Sequence, residues 1–83
     1  MKSMNDNMRD TAQIYLRVNR RDIAYIANLI STYEGLVLMR TRDPFEAIVE
    51  WQVSPDFWED AMALIDSLKK ELSIEIVPWE GTA

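Results

Sequence analysis

The spacing of hydrophobic and polar positions changes several times along the chain, and each change predicts a new element. From Ala12 onwards, apolar residues recur at every second position, which is typical of a strand with one buried face. The spacing then becomes helical, with apolar residues at i, i+3, i+4 and i+7 from Ile23 to Ile30. Asn19 suits the N-cap of this helix, and Asp22 can reach back to its free amides.

A hairpin of two strands is predicted after this helix. Gly35 stands where a helix end favours a left-handed residue, and residues 36–41 are rich in aliphatic side chains. Asp43 followed by Pro44 then favours a type I turn. Beyond the turn, apolar residues alternate with polar ones over residues 46–53. We therefore expect a third strand whose apolar face points towards the helices.

The register of this hairpin decides which residues of the second strand face the helices. Either Val37 and Met39 or Leu36 and Leu38 can point inwards. We expect Val37 and Met39 to be inside, because the arginines of this strand then meet acidic residues of the third strand on the open face. These residues are Arg40, Arg42, Glu46 and Glu50.

A second helix and a short strand complete the predicted elements. Ser54 suits an N-cap, and Pro55 fits the first turn, where its missing N–H has no partner to lose. An apolar stripe then continues over residues 57–72 at helical spacing. Residues 74–77 alternate as a last strand, which Pro78 marks as an edge.

The resulting order, βαββαβ, is the pattern of the ferredoxin-like sandwich, an α+β fold. Right-handed crossovers place both helices on one face of a four-stranded antiparallel sheet with the strand order 4-1-3-2. We expect a single domain over residues 11–80. Residues 1–10 are interpreted as a flexible leader and residues 81–83 as a tail.

Composition limits the chemistry more than it limits the fold. The chain has 83 residues, and a domain of this size buries only about 60–65% of its unfolded surface, which favours self-association. It contains no cysteine and no histidine, so the commonest metal ligands and general bases are missing. We expect no enzymatic activity, no metal and no cofactor. No segment has the apolar length of a signal peptide or membrane span, so we expect a cytoplasmic protein without membrane partners.

Charge is unevenly distributed along the chain. The net charge is −5, which disfavours nucleic-acid partners, yet residues 1–42 hold seven basic and four acidic residues. In the predicted topology, several arginines gather at one end of the sheet, near the free amides of the first helix. This arrangement is compatible with a small-anion site or with simple solvated charges. The candidate ligand-binding residues are Arg20, Arg21, Asp22, Arg40 and Arg42.

Three stretches, residues 19–26, 33–36 and 40–44, resemble an uncharacterised bacterial family known as domain of unknown function 4911. Because this family is uncharacterised, the resemblance does not indicate any particular activity. More distantly, the first strand, helix and second strand resemble an ACT domain. This resemblance implies a ferredoxin-like module that senses small molecules and commonly pairs with copies of itself.

The sequence therefore favours a non-enzymatic interaction or regulatory module that forms a homodimer through the sheet face or an edge. An ACT-like sensor of a small anionic metabolite, bound at the start of the first helix, is the alternative. A minor subunit of a larger complex is a third possibility. The expected contact surface is an apolar patch on the open face, formed by Tyr15, Leu38, Ile48, Val77 and Trp79.

Overall fold

The computed structural model describes residues 12–33 and 35–78. The predicted leader, residues 1–10, and tail, residues 81–83, lie outside this part of the chain. The four strands and two α-helices are β1 (Ala12–Arg17), α1 (Ile23–Ile30), β2 (Val37–Asp43), β3 (Ile48–Val53), α2 (Trp58–Lys69) and β4 (Glu75–Ile76). Three short 3-10 turns flank the helices, at Arg20–Asp22, Ser31–Tyr33 and Pro55–Phe57.

The sheet is antiparallel and has the order β2-β3-β1-β4, which is the predicted order read from the other edge. Both helices contribute to one core, which includes alternate residues of β1 and β3. Ile14 of β1 lies opposite Trp51 of β3, and Trp51 lies opposite Met39 of β2. The ferredoxin-like α+β fold predicted from the sequence is confirmed.

Burial in the core follows the predicted periodicity. The largest side chains with no exposed surface come from β1, β3 and the two helices, and each such burial stabilises the fold by about 1.5–3 kcal/mol. These side chains are Leu16, Ile26, Val49, Trp51, Val53 and Ile65. The two-layer sandwich is therefore closed by contacts between sheet and helices.

The hairpin has the expected register. Val37 is buried and Met39 is half-buried, whereas Leu36 and Leu38 are exposed. The turn is stabilised by the Asp43 side chain, because Oδ1 accepts hydrogen bonds from the backbone N–H groups of Phe45 and Glu46 at 3.0 and 3.1 Å. The pairing of β2 with β3 shifts by one residue between Thr41 and Asp43, so the end of β2 next to the turn is irregular.

Both helices begin differently from the prediction. Neither Asn19 nor Ser54 makes a side-chain cap, and Asp22 makes no capping hydrogen bond either. Instead, the carbonyl of Asn19 accepts the N–H of Asp22 at 2.9 Å, and the carbonyl of Ser54 accepts that of Phe57 at 2.9 Å. The 3-10 turns thus use backbone carbonyls for amides that side chains were expected to bind.

Strand β3 is buried on both faces, although only one face was predicted to be covered. Ile48 and Glu50 point away from the helices, yet each is only 3% exposed. β3 is an inner strand, and Ile48 lies opposite the long side chain of Arg17 on β1. Neighbouring strands shield an inner strand from solvent. The alternation of apolar and polar residues in the sequence does not predict this shielding.

Gly35 provides a direct test of the connection between α1 and β2. Its φ of +89° is in the left-handed region, and a Cβ built there meets nothing within 4 Å. Gly35→Ala should therefore destabilise the fold by about 1–2 kcal/mol through backbone strain alone, as measured by urea unfolding. Gly35→Asn should lose less stability than Gly35→Ala, because asparagine tolerates this backbone conformation. Equal stability of all three proteins would contradict this interpretation.

Candidate functional site

The predicted basic site lies at one end of the sheet but is divided between its two layers. Arg20 and Arg21 are exposed in the 3-10 turn that leads into α1. Arg40 and Arg42 lie on β2, near the hairpin that follows it. The end of β1 joins this hairpin, since the N–H of Val18 donates to the Ala47 carbonyl at 3.0 Å.

Within residues 12–33 and 35–78, neither Arg20 nor Arg21 takes part in an ion pair, so no carboxylate bridges them to the arginines of β2. Asp22 is half-buried in the same turn and makes no cap. The small-anion site stays a prediction.

A polar cavity of about 180 Å³ opens at the same end of the sheet. Its only cationic lining residue is Arg17, whose Nη1 lies 3.3 Å from Oε1 of Glu75. The cation of this cavity is therefore already paired with a carboxylate of the same chain. Sequence reasoning missed this cavity, because β1 and the loop before β4 meet there only in the folded chain. The lining residues are Arg17, Val18, Asn19, Ser73, Ile74 and Glu75.

The open face of the sheet carries a network of paired charges. Glu50 is its centre: Nε of Arg42 lies 3.4 Å from Oε1, and Nε2 of Gln52 donates to Oε2 at 3.1 Å. A second group surrounds Arg17, which lies 3.9 Å from Glu46 as well as 3.3 Å from Glu75. The predicted contact between β2 arginines and β3 carboxylates is present as the Arg42–Glu50 pair.

This network replaces most of the apolar patch expected on the open face. Ile48 was expected to be exposed, which is wrong, because it is buried between the neighbouring strands. Tyr15 and Val77 are half-buried on β1 and after β4, and Trp79 lies outside the described residues. Among the four described members of this set, Leu38 alone is largely exposed, at 65%. The open face is therefore mainly a polar surface.

Leu38 stands on the open face beside the outer edge of the sheet, which is formed by β2. Ser54 N–H donates to the Leu36 carbonyl at 3.0 Å, so the even-numbered residues of β2 hydrogen-bond to β3. The backbone N–H and C=O groups of Val37, Met39 and Thr41 consequently point away from the sheet. No described strand lies on that side.

Two shallow cavities flank Leu38 on this edge. One has a volume of about 270 Å³ and continues towards Gly35 and Ser54. The other has a volume of about 420 Å³ and continues towards Met39 and Arg40. Leu38 and Gln52 line both cavities. The edge of β2 thus combines unpaired backbone N–H and C=O groups with the exposed side chain of Leu38, which lies between the two cavities.

The opposite edge of the sheet is much less accessible to another strand. β4 has two residues, and its pairing continues only as far as the hydrogen bond from Val77 N–H to the Tyr15 carbonyl at 2.9 Å. In this ladder the next residue, Pro78, stands where a backbone N–H would point outwards. Proline has no such donor, so this edge is a poor template for pairing.

The part of the chain that the structure describes contains no candidate metal site and no candidate membrane-spanning helix. No group of three or more acidic, histidine or cysteine residues there is arranged to hold a metal ion. No described helix combines the length and apolar character needed to cross a bilayer. The cytoplasmic location stays a prediction.

Comparison with known proteins gives one match. A family model described as "Domain of unknown function (DUF4911)" matches residues 16–72. No curated protein and no solved structure matches the chain. The family match spans most of the fold, from near the end of β1 to just beyond the end of α2, and confirms the resemblance seen in the sequence.

The Arg42–Glu50 pair can be tested by comparing two arginines on the same strand. Arg42→Gln leaves the buried Glu50 carboxylate without this cation, so we expect a loss of about 1–3 kcal/mol in the free energy of unfolding. Arg40→Gln is the matched control. Arg40 is exposed and takes part in no ion pair within the described residues, so its substitution should change stability by less than about 0.5 kcal/mol. Equal effects in chemical denaturation would contradict the assigned pairing.

Proposed function

The chain belongs to the DUF4911 family, and we propose that it acts as a small non-enzymatic interaction module whose β2 edge accepts a strand from another chain. The observation that carries this proposal is the hydrogen-bonding pattern of β2. Seven residues, Val37–Asp43, form the strand, and the backbone groups of Val37, Met39 and Thr41 face outwards. A strand added there would satisfy these donors and acceptors.

The side chains of this edge supply selectivity in addition to backbone pairing. In strand addition, main-chain hydrogen bonds provide affinity, while pockets for alternate side chains choose the partner. The cavities of about 270 and 420 Å³ beside Leu38 are suited to this role, since alternate side chains of an added strand would lie over them. Apolar side chains therefore fit opposite Leu36 and Leu38.

Charged residues limit indiscriminate pairing at the same edge. Arg40 and Arg42 occupy the hairpin half of β2, and exposed charges on edge strands disfavour aggregation. Arg42 is held by Glu50, whereas Arg40 is exposed. A partner strand with a like charge opposite Arg40 would be rejected, which gives the edge a preferred direction.

The non-enzymatic part of the proposal is supported by residue types. The sequence has no histidine and no cysteine. Several charged side chains of the open face are already paired, Arg17 with Glu46 and Glu75 and Arg42 with Glu50. Self-association is the simplest form of the proposed activity, because a second copy presents the same free backbone groups.

Selection of binding peptides tests strand addition even while the natural partner is unidentified. The immobilised protein is presented with a display library of extended peptides, and binders are mapped by amide chemical shifts. We expect the amides of Val37, Met39 and Thr41 to shift more than those of Leu38 and Arg40, because only the odd-numbered groups face outwards.

Two variants of one residue separate backbone pairing from side-chain contacts. Thr41→Pro removes an outward N–H and should weaken peptide binding about tenfold, which corresponds to about 1.4 kcal/mol. Thr41→Val keeps the N–H and should bind normally. The proposed function would be refuted if the library yielded no binder. It would also be refuted if the binders shifted amides outside β2 and bound the Thr41→Pro variant as tightly as the unmodified protein.

A further inference from the structure

We infer that the strand bound by β2 is β2 of a second copy, in an antiparallel pair whose twofold axis passes beside Leu38. This inference rests on the proposed function and names its partner. Two features of this edge support it: the composition of helix α1 and the distribution of charge along strand β2.

The helical layer at this edge carries no charge. None of the eight residues of α1 is charged, although charged residues make up 28% of the chain. Ala24, Ala27 and Asn28 are exposed, and Tyr25 is 49% exposed. Solvent-facing helix surfaces normally carry charged residues, whereas the centres of protein interfaces are depleted of them and enriched in tyrosine.

The topology places this uncharged helix beside the free strand. α1 connects β1 to β2, so it crosses the sheet on the β2 side, while α2 returns to β4 on the other side. When two β2 edges meet, the two sheets become continuous, and the two α1 helices become neighbours on the same face. The strand and helix layers would then be buried together.

The arrangement of charge on β2 selects the antiparallel orientation. The half of the strand nearest Gly35 is uncharged, and the other half carries Arg40 and Arg42. Antiparallel pairing brings the charged half of one copy to the uncharged half of the other. Parallel pairing in register would instead place each arginine beside its own equivalent, which is unfavourable.

The same charges disfavour an axis at Arg40, and the exposure of Leu38 favours an axis at Leu38. With the axis at Leu38, that residue faces its own equivalent, and Arg40 faces Leu36 of the second copy. With the axis at Arg40, like charges would face each other. Leu38 is also the most exposed apolar residue of the strand, at 65%. In this register, Val37 exchanges backbone hydrogen bonds with Met39 of the second copy, so outward donors meet outward acceptors.

The edge is large enough for a reversible dimer. A strand of this length extends over roughly 20 Å, and the sheet and helix layers together are roughly 20 Å thick. The flat footprint is therefore roughly 400 Å² per copy, and interlocked side chains bury more accessible surface than a flat footprint. This brings the contact close to the lower limit of about 600 Å² per copy for specific interfaces.

The assembly ends at two copies. A twofold contact uses the β2 edge of both chains, and the remaining edges are those of β4, with its two residues followed by Pro78. Because the contact is between identical surfaces, it closes and does not propagate into a filament.

Cysteine cross-linking tests the axis directly, since the natural chain has no cysteine to compete. Leu38→Cys places two thiols in a non-hydrogen-bonded cross-strand pair, within the range that disulfides tolerate. We expect most of this variant to form a covalent dimer under mild oxidation. Phe45→Cys is the matched control: Phe45 is 86% exposed but lies in the hairpin, away from the axis, so it should form little covalent dimer.

Sedimentation equilibrium of the full chain completes the test. At about 100 µM the unmodified protein should be mainly dimeric, and Leu38→Lys should be monomeric with an unchanged circular dichroism spectrum. The inference would be overturned if the unmodified protein were monomeric or formed an assembly larger than two. It would also be overturned if both cysteine variants cross-linked equally, or if Leu38→Lys remained dimeric. A monomer that still binds selected peptides at β2 would refute self-pairing and leave the proposed function standing.

Discussion

The inner position of β3 is the constraint on which the rest of the structure depends. β3 pairs with β1 on one side and β2 on the other, and it is buried on both faces. Towards the helices it contributes the fully buried Trp51, whose Nε1 has no hydrogen-bond partner among the described residues. Towards the open face it contributes Glu50, which Arg42 and Gln52 bind. A shift of one residue would exchange these two environments, so the register of the whole sheet is fixed here.

The fixed register makes the two edges of the sheet unequal. It determines that Val37, Met39 and Thr41 turn their backbone groups outwards and that Leu38 stands on the open face. On the other side, β4 contributes two residues before Pro78. The asymmetry of the edges supports the proposal that a partner strand binds at β2.

Local patterns in the sequence were sufficient for the fold. Alternation in β1 and β3, the helical stripes and the left-handed position at Gly35 were all read correctly, because each depends on neighbours within a few residues. The register of the hairpin was also predicted, since it placed Arg40 and Arg42 near Glu46 and Glu50 on the open face, where Arg42 pairs with Glu50. These are the features in which local preference and tertiary packing agree.

The surface was harder to predict, because exposure depends on distant neighbours. Ile48 alternates as an outward-facing residue, and only its place between two other strands buries it. The cavity around Arg17 and Ser73 is formed by segments far apart in sequence. The helix starts show a related effect, because Asn19 has the right residue type for a cap while the local 3-10 turn uses its carbonyl.

Amide hydrogen exchange along β2, at a concentration low enough to keep the chain monomeric, is the most direct test of the unequal edges. The amides of Leu38 and Arg40 should exchange slowly, because they are hydrogen-bonded to β3. Those of Val37, Met39 and Thr41 should exchange close to the rate of an unprotected chain. Equal protection of the two sets would show that β2 has no free edge and would contradict the account.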